Sequence, residues 1–264
     1  MQRWLGAVIQ RMYGRRFFMK YIRITKDNID KEHICCAMSN RQSVAKKEWL
    51  KQRFEEGLVF YRSEERGKCF IEYIPAEYAW VPIEAAGYLY INCLWIAGSM
   101  KGHGYSNDLF DECMRDAKAQ GKKGLCILSA EGKKREFLSD PKYLAYKGFL
   151  TADTSECGIT LLYLPFAPDA KPPKFKDCAK RPQTSETGFV IYYTDQCPFT
   201  YYWVPRVAEV AAEHGIPLKT LHITDRETAQ NLPAPVTTYA LFRDGKFVTH
   251  AIQSDKKFLK LAGV

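Results

Sequence analysis

The residues with the most evident chemistry lie in one stretch, Tyr88 to Leu109, which reads YLYINCLWIAGSMKGHGYSNDL. An apolar run of strand character, through Tyr90, Ile91, Leu94, Trp95 and Ile96, breaks at Ala97-Gly98. A small-residue, cationic turn follows: Lys101, Gly102, His103, Gly104, Tyr105, Ser106. Leu109, Phe110, Cys113 and Met114 then recur at helical spacing. Strand, glycine-rich turn and helix together aim backbone N–H groups at an anion. Gly102 and Gly104 carry no Cβ, so a phosphate can approach the main chain. The new helix adds the positive end of its dipole. His103 supplies backbone to this turn and offers a ring for a side-chain phosphate contact.

A second candidate is Cys197, within Asp195-Gln-Cys-Pro-Phe-Thr200. It follows a buried-strand pattern and precedes a helical one, a placement that favours the thiolate. No cysteine stands at 200, so a local ring cannot form, and Cys197 would act through a mixed disulfide. The alternative is a scaffold without redox chemistry.

The chain as a whole limits the possibilities. Its 264 residues suit one large or two modest domains, and 46% hydrophobic content suits a globular core. No apolar run reaches the length of a membrane span, so no membrane partner is expected. Nine cysteines are scattered with no Cys-x-x-Cys pair, which points to reduced thiols in the cytoplasm. The five histidines show no metal-ligand spacing, so no metal is expected. The net charge of +9 is uneven: Arg3, Arg11, Arg15, Arg16 and Lys20 supply five positive charges, unopposed by any acid in residues 1–20. The mildly basic remainder suits a polyanionic cofactor and needs no specific nucleic acid. Residues 1–19 read as a targeting or membrane-touching helix or, with Met19 set just before a strand, as a dispensable extension.

The elements that must position these groups are legible in order. Tyr21–Thr25 is a strand, and helices are expected over 29–39 and 43–56, the second with Val44, Trp49, Leu50 and Phe54 as its apolar face. Strands follow at 58–62, 68–74 and 88–96, then a helix over 104–119 and a strand at 124–129. A helix over 133–147 is interrupted near Asp140-Pro141, and a strand spans 157–164. Residues 165–186, rich in Pro, Lys and Ser, read as a linker or a strap across the surface. A second pattern opens at Gly188, with strands near 188–194, 215–223, 238–242 and 246–250 and helices after Cys197, at 225–231 and at 254–261. Asp244-Gly245 marks a hairpin turn.

Lys101-x-x-Gly104-x-Ser106 after a strand resembles the acyl-CoA-binding motif of the GNAT N-acetyltransferase superfamily, with Lys101 for Arg or Gln and Ser106 for Gly or Ala. The order of elements over about 20–165 resembles the same α/β fold, and Tyr146-Lys-Gly-Phe149 resembles its C-terminal motif, with the tyrosine ambiguous between Tyr143 and Tyr146. Residues 187–264 resemble a small thioredoxin- or glutaredoxin-like domain, with CPFT where glutaredoxins carry Cys-Pro-Tyr-Cys and Pro235 in the place of that fold's cis-proline. The tandem resembles the YoaP-like acetyltransferases of bacteria.

The resemblance implies direct transfer of acetyl from acetyl-CoA to an amine. Leu94, Trp95 and Ile96 would pair with pantetheine amides, and the 101–106 turn would hold the pyrophosphate. Tyr146, or else Tyr143, would be the acid that protonates the thiolate. Glu72, Glu77 and Glu84 are candidates for the base, Glu84 foremost. The acceptor is open between a small amine, an antibiotic, a peptide and a protein N-terminus, and a homodimer is compatible with it. Two other functions remain: a thiol–disulfide oxidoreductase that uses Cys197 with the GNAT half as a non-catalytic acyl-CoA module, and a non-catalytic acyl-CoA sensor.

Overall fold

The computed structural model describes residues 19–34, 40–132 and 136–264. Expectations for 1–18, 35–39 and 133–135 lie outside the described residues. The first half is a seven-stranded sheet made of β1 (Tyr21–Ile24), β2 (Val59–Ser63), β3 (Lys68–Pro75), β5 (Tyr88–Ala97), β6 (Gly124–Ala130), β8 (Ile159–Pro165) and β7 (Leu150–Thr154), in that spatial order. Every neighbouring pair is antiparallel except β5 with β6, which is parallel. The short β4 (Ile83–Glu84) lies outside this sheet.

The sheet is apolar on both faces, as its strand residues dictate. On β3, Phe70 and Ile74 face one core while Cys69, Ile71 and Tyr73 face another. On β6, Cys126 and Leu128 alternate with Leu125 and Ile127 in the same way. Helix α1 (Asn40–Arg53) covers the first face with Trp49 and Leu50, and helix α2 (Tyr105–Ala119) covers the second with Leu109, Phe110, Cys113 and Ala117.

Two features of β5 position the site. Its pairing with β6 runs only from Tyr88↔Gly124 to Tyr90↔Cys126, so the two strands part beyond Tyr90. Its register against β3 also slips, from Ile91↔Tyr73 to Cys93↔Glu72, which leaves Asn92 as a bulge. The extra residue exchanges the faces. Before it, Tyr88 and Tyr90 point to the α1 side; after it, Cys93 and Trp95 do, while Leu94 and Ile96 turn to the α2 side.

Several local expectations are corrected. Residues 26–31 form turns closed on the Thr25 and Asn28 carbonyls, where the start of a helix was expected. Val44 is 55% exposed, and the buried face of α1 carries Lys46 with Trp49 and Leu50. The helix expected over 133–147 is described only as α3 (Pro141–Tyr146), capped by the Asp140 side chain on the Lys142 N–H. Residues 165–186, expected as a linker or a strap across the surface, are anchored at two points. Their strand β9 (Lys174–Phe175) pairs with β4, their helix α4 (Asp177–Lys180) follows, and Phe175 and Ala179 are buried.

The second half holds a four-stranded sheet in the order β11 (Leu218–His222), β10 (Phe189–Tyr193), β12 (Tyr239–Arg243), β13 (Lys246–Thr249). β10 and β11 are parallel, and the other pairs are antiparallel. Helices α5 (Pro198–Glu213), α6 (Arg226–Ala229) and α7 (Asp255–Ala262) complete it. No peptide bond among the described residues is cis, so Pro235 lacks the conformation its resemblance implied.

The two halves share a core. Val190, Ala229, Val236 and Phe242 belong to the same buried cluster as Trp49, Phe70 and Trp80. Gln230 Nε2 donates to the carbonyls of Glu77 at 3.1 Å and Ala79 at 2.8 Å, and the Thr237 hydroxyl donates to the carbonyl of Trp80. Arg226 meets Glu56 at 3.1 Å.

Candidate active site

The 101–106 turn ends β5 and opens α2. Gly102 and Gly104 both have φ near +83°, and nothing lies within 4 Å of where a Cβ would stand on either. Gly104 is the N-cap of α2, no side chain caps the first turn, and the Asn107 N–H donates to the Gly104 carbonyl at 2.9 Å. Open backbone at a helix N-terminus is a geometry that can take an anion. His103 is exposed and stacks on Tyr105, 5.4 Å between ring centroids.

Tyr143 reaches this turn. Its hydroxyl donates to the carbonyl of Ser106 at 3.3 Å, and burial pushes its pKa up, so it stays a proton donor. Tyr146 is 82% exposed and faces solvent. The two are three residues apart in sequence, and α3 packs Tyr143 beside Leu144 against the second core while Tyr146 points away from it.

On the opposite face of the sheet, where β5 leaves β6, lies a cavity of about 120 Å³. Glu72, Asn92 and Lys46 line it. Lys46 Nζ is 2.6 Å from Glu72 Oε2, and Asn92 Nδ2 donates to Glu72 Oε1 at 2.9 Å. Each carboxylate oxygen thus has one protein partner, and a carboxylate has about four lone-pair sites. Lone pairs remain for an incoming proton. Glu77 and Glu84 sit elsewhere. Glu77 accepts from the Gly87 N–H at 2.7 Å, and Glu84 is a surface residue paired with Lys174 at 3.1 Å. Neither lines the cavity.

The far wall comes from the second half. Gln196, Cys197, Phe199, Thr237, Thr238 and His250 line the same cavity. Cys197 is the N-cap of α5 and is in no disulfide. Thr200 is fully buried, with its hydroxyl within 2.8 Å of the Thr194 carbonyl and 2.6 Å of the Cys197 carbonyl. His250 Nε2 lies 2.7 Å from the carbonyl of Glu136, and burial lowers its pKa, so it is neutral. Among the described residues no three His, Cys, Asp or Glu side chains are grouped to hold a metal ion.

The chain is 44% identical over 247 residues to the uncharacterised N-acetyltransferase YoaP of Bacillus subtilis (strain 168), across 92% of this chain and 98% of that one. The chain belongs to the YoaP family of N-acetyltransferases. The YoaP-like family also matches residues 217–260 directly, within the second half. Among solved structures, a GNAT-family acetyltransferase from Brucella melitensis in complex with acetyl-CoA aligns at 18% identity over 58% of this chain and 90% of that one, with a TM-score of 0.38. A ribosomal-protein-alanine N-acetyltransferase from the same organism aligns at 13% identity over 56% and 100%, with a TM-score of 0.40.

Lys46, Asn92, Thr237, Thr238 and His250 were not singled out from the YoaP-like sequence. A signal existed for Lys46, which stands at i to Trp49 at i+3 and Leu50 at i+4, on the buried stripe of its helix. Asn92 was hidden because the bulge that aims it depends on register with β3. Thr237, Thr238 and His250 had no sequence-local signal, since their place on the far wall depends on docking between the halves.

Proposed function

We propose that this chain is an acetyl-CoA-dependent N-acetyltransferase whose transfer point is the gap between β5 and β6. The observation that carries the reading is the placement of that gap: the anion cradle and Tyr143 lie on one side, and the Glu72-lined cavity lies on the other. Acetyl-CoA supplies an acyl group activated as a thioester. The residues present fit it. The 101–106 turn offers bare backbone to a pyrophosphate, and β5 beyond Tyr90 has no strand partner on its β6 side, which leaves an edge around Leu94–Ile96 for the amides of pantetheine.

The net reaction moves acetyl from sulfur to nitrogen, breaks the C–S bond and forms a C–N bond. The amine gives up one proton and the departing sulfur takes one. Glu72, steadied by Lys46 and Asn92, accepts the amine's proton directly or through water. The Tyr143 hydroxyl donates on the opposite face, beside Ser106. Holding acceptor and thioester together supplies much of the remaining acceleration.

Residues 187–264 are, in this reading, a thioredoxin-like unit, supported by the β11-β10-β12-β13 order and by Cys197 at the start of α5. Residues 20–165 are the acetyltransferase unit, and 166–186 are the strap between them. Thr200 occupies the place of a resolving cysteine and is committed to backbone carbonyls, which favours a wall of the site over an oxidoreductase. A cytoplasmic setting is part of the proposal: none of the seven described cysteines is in a disulfide, and no helix among the described residues is long and apolar enough to cross a membrane. Release of CoA from acetyl-CoA in the presence of an amine panel tests the reading. CoA release with at least one amine is expected, and its absence with every amine overturns the proposal.

A further inference from the structure

The cavity has a defined chemistry, and it differs from what a polar acceptor needs. Lys46 and Glu72 are its charged residues, and they neutralise each other at 2.6 Å, each 2% exposed. His250 adds no charge, since it is buried against the Glu136 carbonyl. A polycationic acceptor would bring in several ammonium groups and find no counter-charge, at a desolvation cost of several kcal/mol for each ion. A peptide needs partners for all its backbone groups, and the surface of the lining is mainly apolar despite Asn92, Gln196, Thr237 and Thr238. Most of it is aromatic or aliphatic: Phe70 and Trp95 on the first half, Phe199 and Ile252 on the second, with Leu128 and Val236 between. The volume, about 120 Å³, is close to that of cavities that take a single benzene ring, about 150 Å³.

We propose that the acceptor is a primary amine bearing one apolar body, of the size of a benzyl or short alkyl group, and that the second half supplies the wall that selects it. The inference rests on the acetyltransferase reading above. The amine end points to Glu72 and Asn92, where the cavity's polar groups converge. The apolar body lies against Phe199, at the first turn of α5, and Val236. The accessory unit is then a specificity element of the transferase site, which accounts for its sharing a buried core with the first half.

Steady-state rates of CoA release test this with the full chain, acetyl-CoA and four probes: benzylamine, hexylamine, spermidine and an Ala-Gly-Ser tripeptide. The expected kcat/KM for the two monoamines is at least about tenfold above that for spermidine and the tripeptide. Phe199→Ala should raise the KM for benzylamine about tenfold and leave the KM for acetyl-CoA unchanged, because the 101–106 turn is untouched. Phe199→Leu, which keeps an apolar side chain on α5, should show a smaller rise in the same direction and stands in if the alanine variant does not fold. Preference for spermidine or the tripeptide overturns the inference and leaves the acetyltransferase reading standing. A Phe199 variant that shifts the KM values of both substrates equally removes the selecting wall. No CoA release with any of the four, nor with a wider amine panel, takes down the acetyltransferase reading and the inference with it.

Discussion

Lys46 Nζ lies 2.6 Å from Glu72 Oε2, and both side chains are 2% exposed. The two come from different elements, α1 and β3, and meet on the face of the sheet where β5 separates from β6. Taking two charges out of water is costly, and the pairing offsets that cost without making it a source of stability. The arrangement serves to hold a carboxylate, oriented and hydrogen-bonded, at the wall of an apolar cavity.

Removing that carboxylate separates chemistry from stability. Glu72→Gln should lower kcat by about 100-fold or more, in the range of a lost general base. It also leaves Lys46 buried without its counter-charge, a loss of about 3–5 kcal/mol. The double variant Lys46→Met with Glu72→Gln should regain most of the melting temperature and none of the activity. Thermal melts beside kcat for the three proteins check this. Full activity in folded Glu72→Gln rejects Glu72 as the base.

The anion cradle is tested by charge. Gly104→Asp places a carboxylate where φ is +83° and where the Cβ meets nothing within 4 Å, a conformation that aspartate tolerates better than most residues. It should raise the Kd for CoA at least tenfold, about 1.4 kcal/mol. Gly121→Asp, at the other end of α2 with φ +64° and equally open space, is the control and should bind CoA as the wild type does. Calorimetric titration with CoA reads both.

The two tyrosines should part company. Tyr143→Phe removes the hydroxyl beside Ser106 and should lower kcat about 10- to 100-fold with little change in melting temperature. Tyr146→Phe changes a side chain that is 82% exposed and should leave kcat and both KM values as they are. The reverse ranking would move the acid to Tyr146.

Acid should loosen the seam between the halves at His250. Burial lowers its pKa, so it is neutral when folded and binds a proton more readily when unfolded. The unfolded state then takes up more protons as pH falls below the ordinary histidine value of about 6.5, and stability declines in that direction. His250→Gln keeps a hydrogen-bonding side chain and does not titrate. Between pH 7.5 and 5, the wild type should lose about 2–4 °C more in melting temperature than the variant, for each kcal/mol of linkage. His33, whose pKa burial also lowers, is common to both proteins and cancels in the difference. Parallel melting curves would exclude His250 as the sensitive group.

The sequence by itself determined the elements that flank the 101–106 turn. Strand, turn and helix around Lys101–Ser106 are local features, set by apolar alternation, by glycines that accept positive φ and by the i, i+3, i+4 spacing of Leu109, Phe110 and Cys113. The hairpin at Asp244-Gly245 is local in the same sense, with φ of +48° and +77° at the two residues. Tertiary structure decided what those elements enclose. Glu72 was one acid among three until β3 and α1 placed Lys46 on it and left Glu84 at the surface with Lys174. The resemblance put Tyr146 ahead of Tyr143, and only the fold shows that α3 turns Tyr143 inward and leaves Tyr146 exposed. Which residues of β5 face the cavity depended on a single bulge at Asn92, because a strand's side chains alternate and one extra residue exchanges the faces. Cys197, Phe199 and His250 entered the site only through docking of the second half, a relationship between residues more than a hundred positions from Glu72 that local periodicity does not encode.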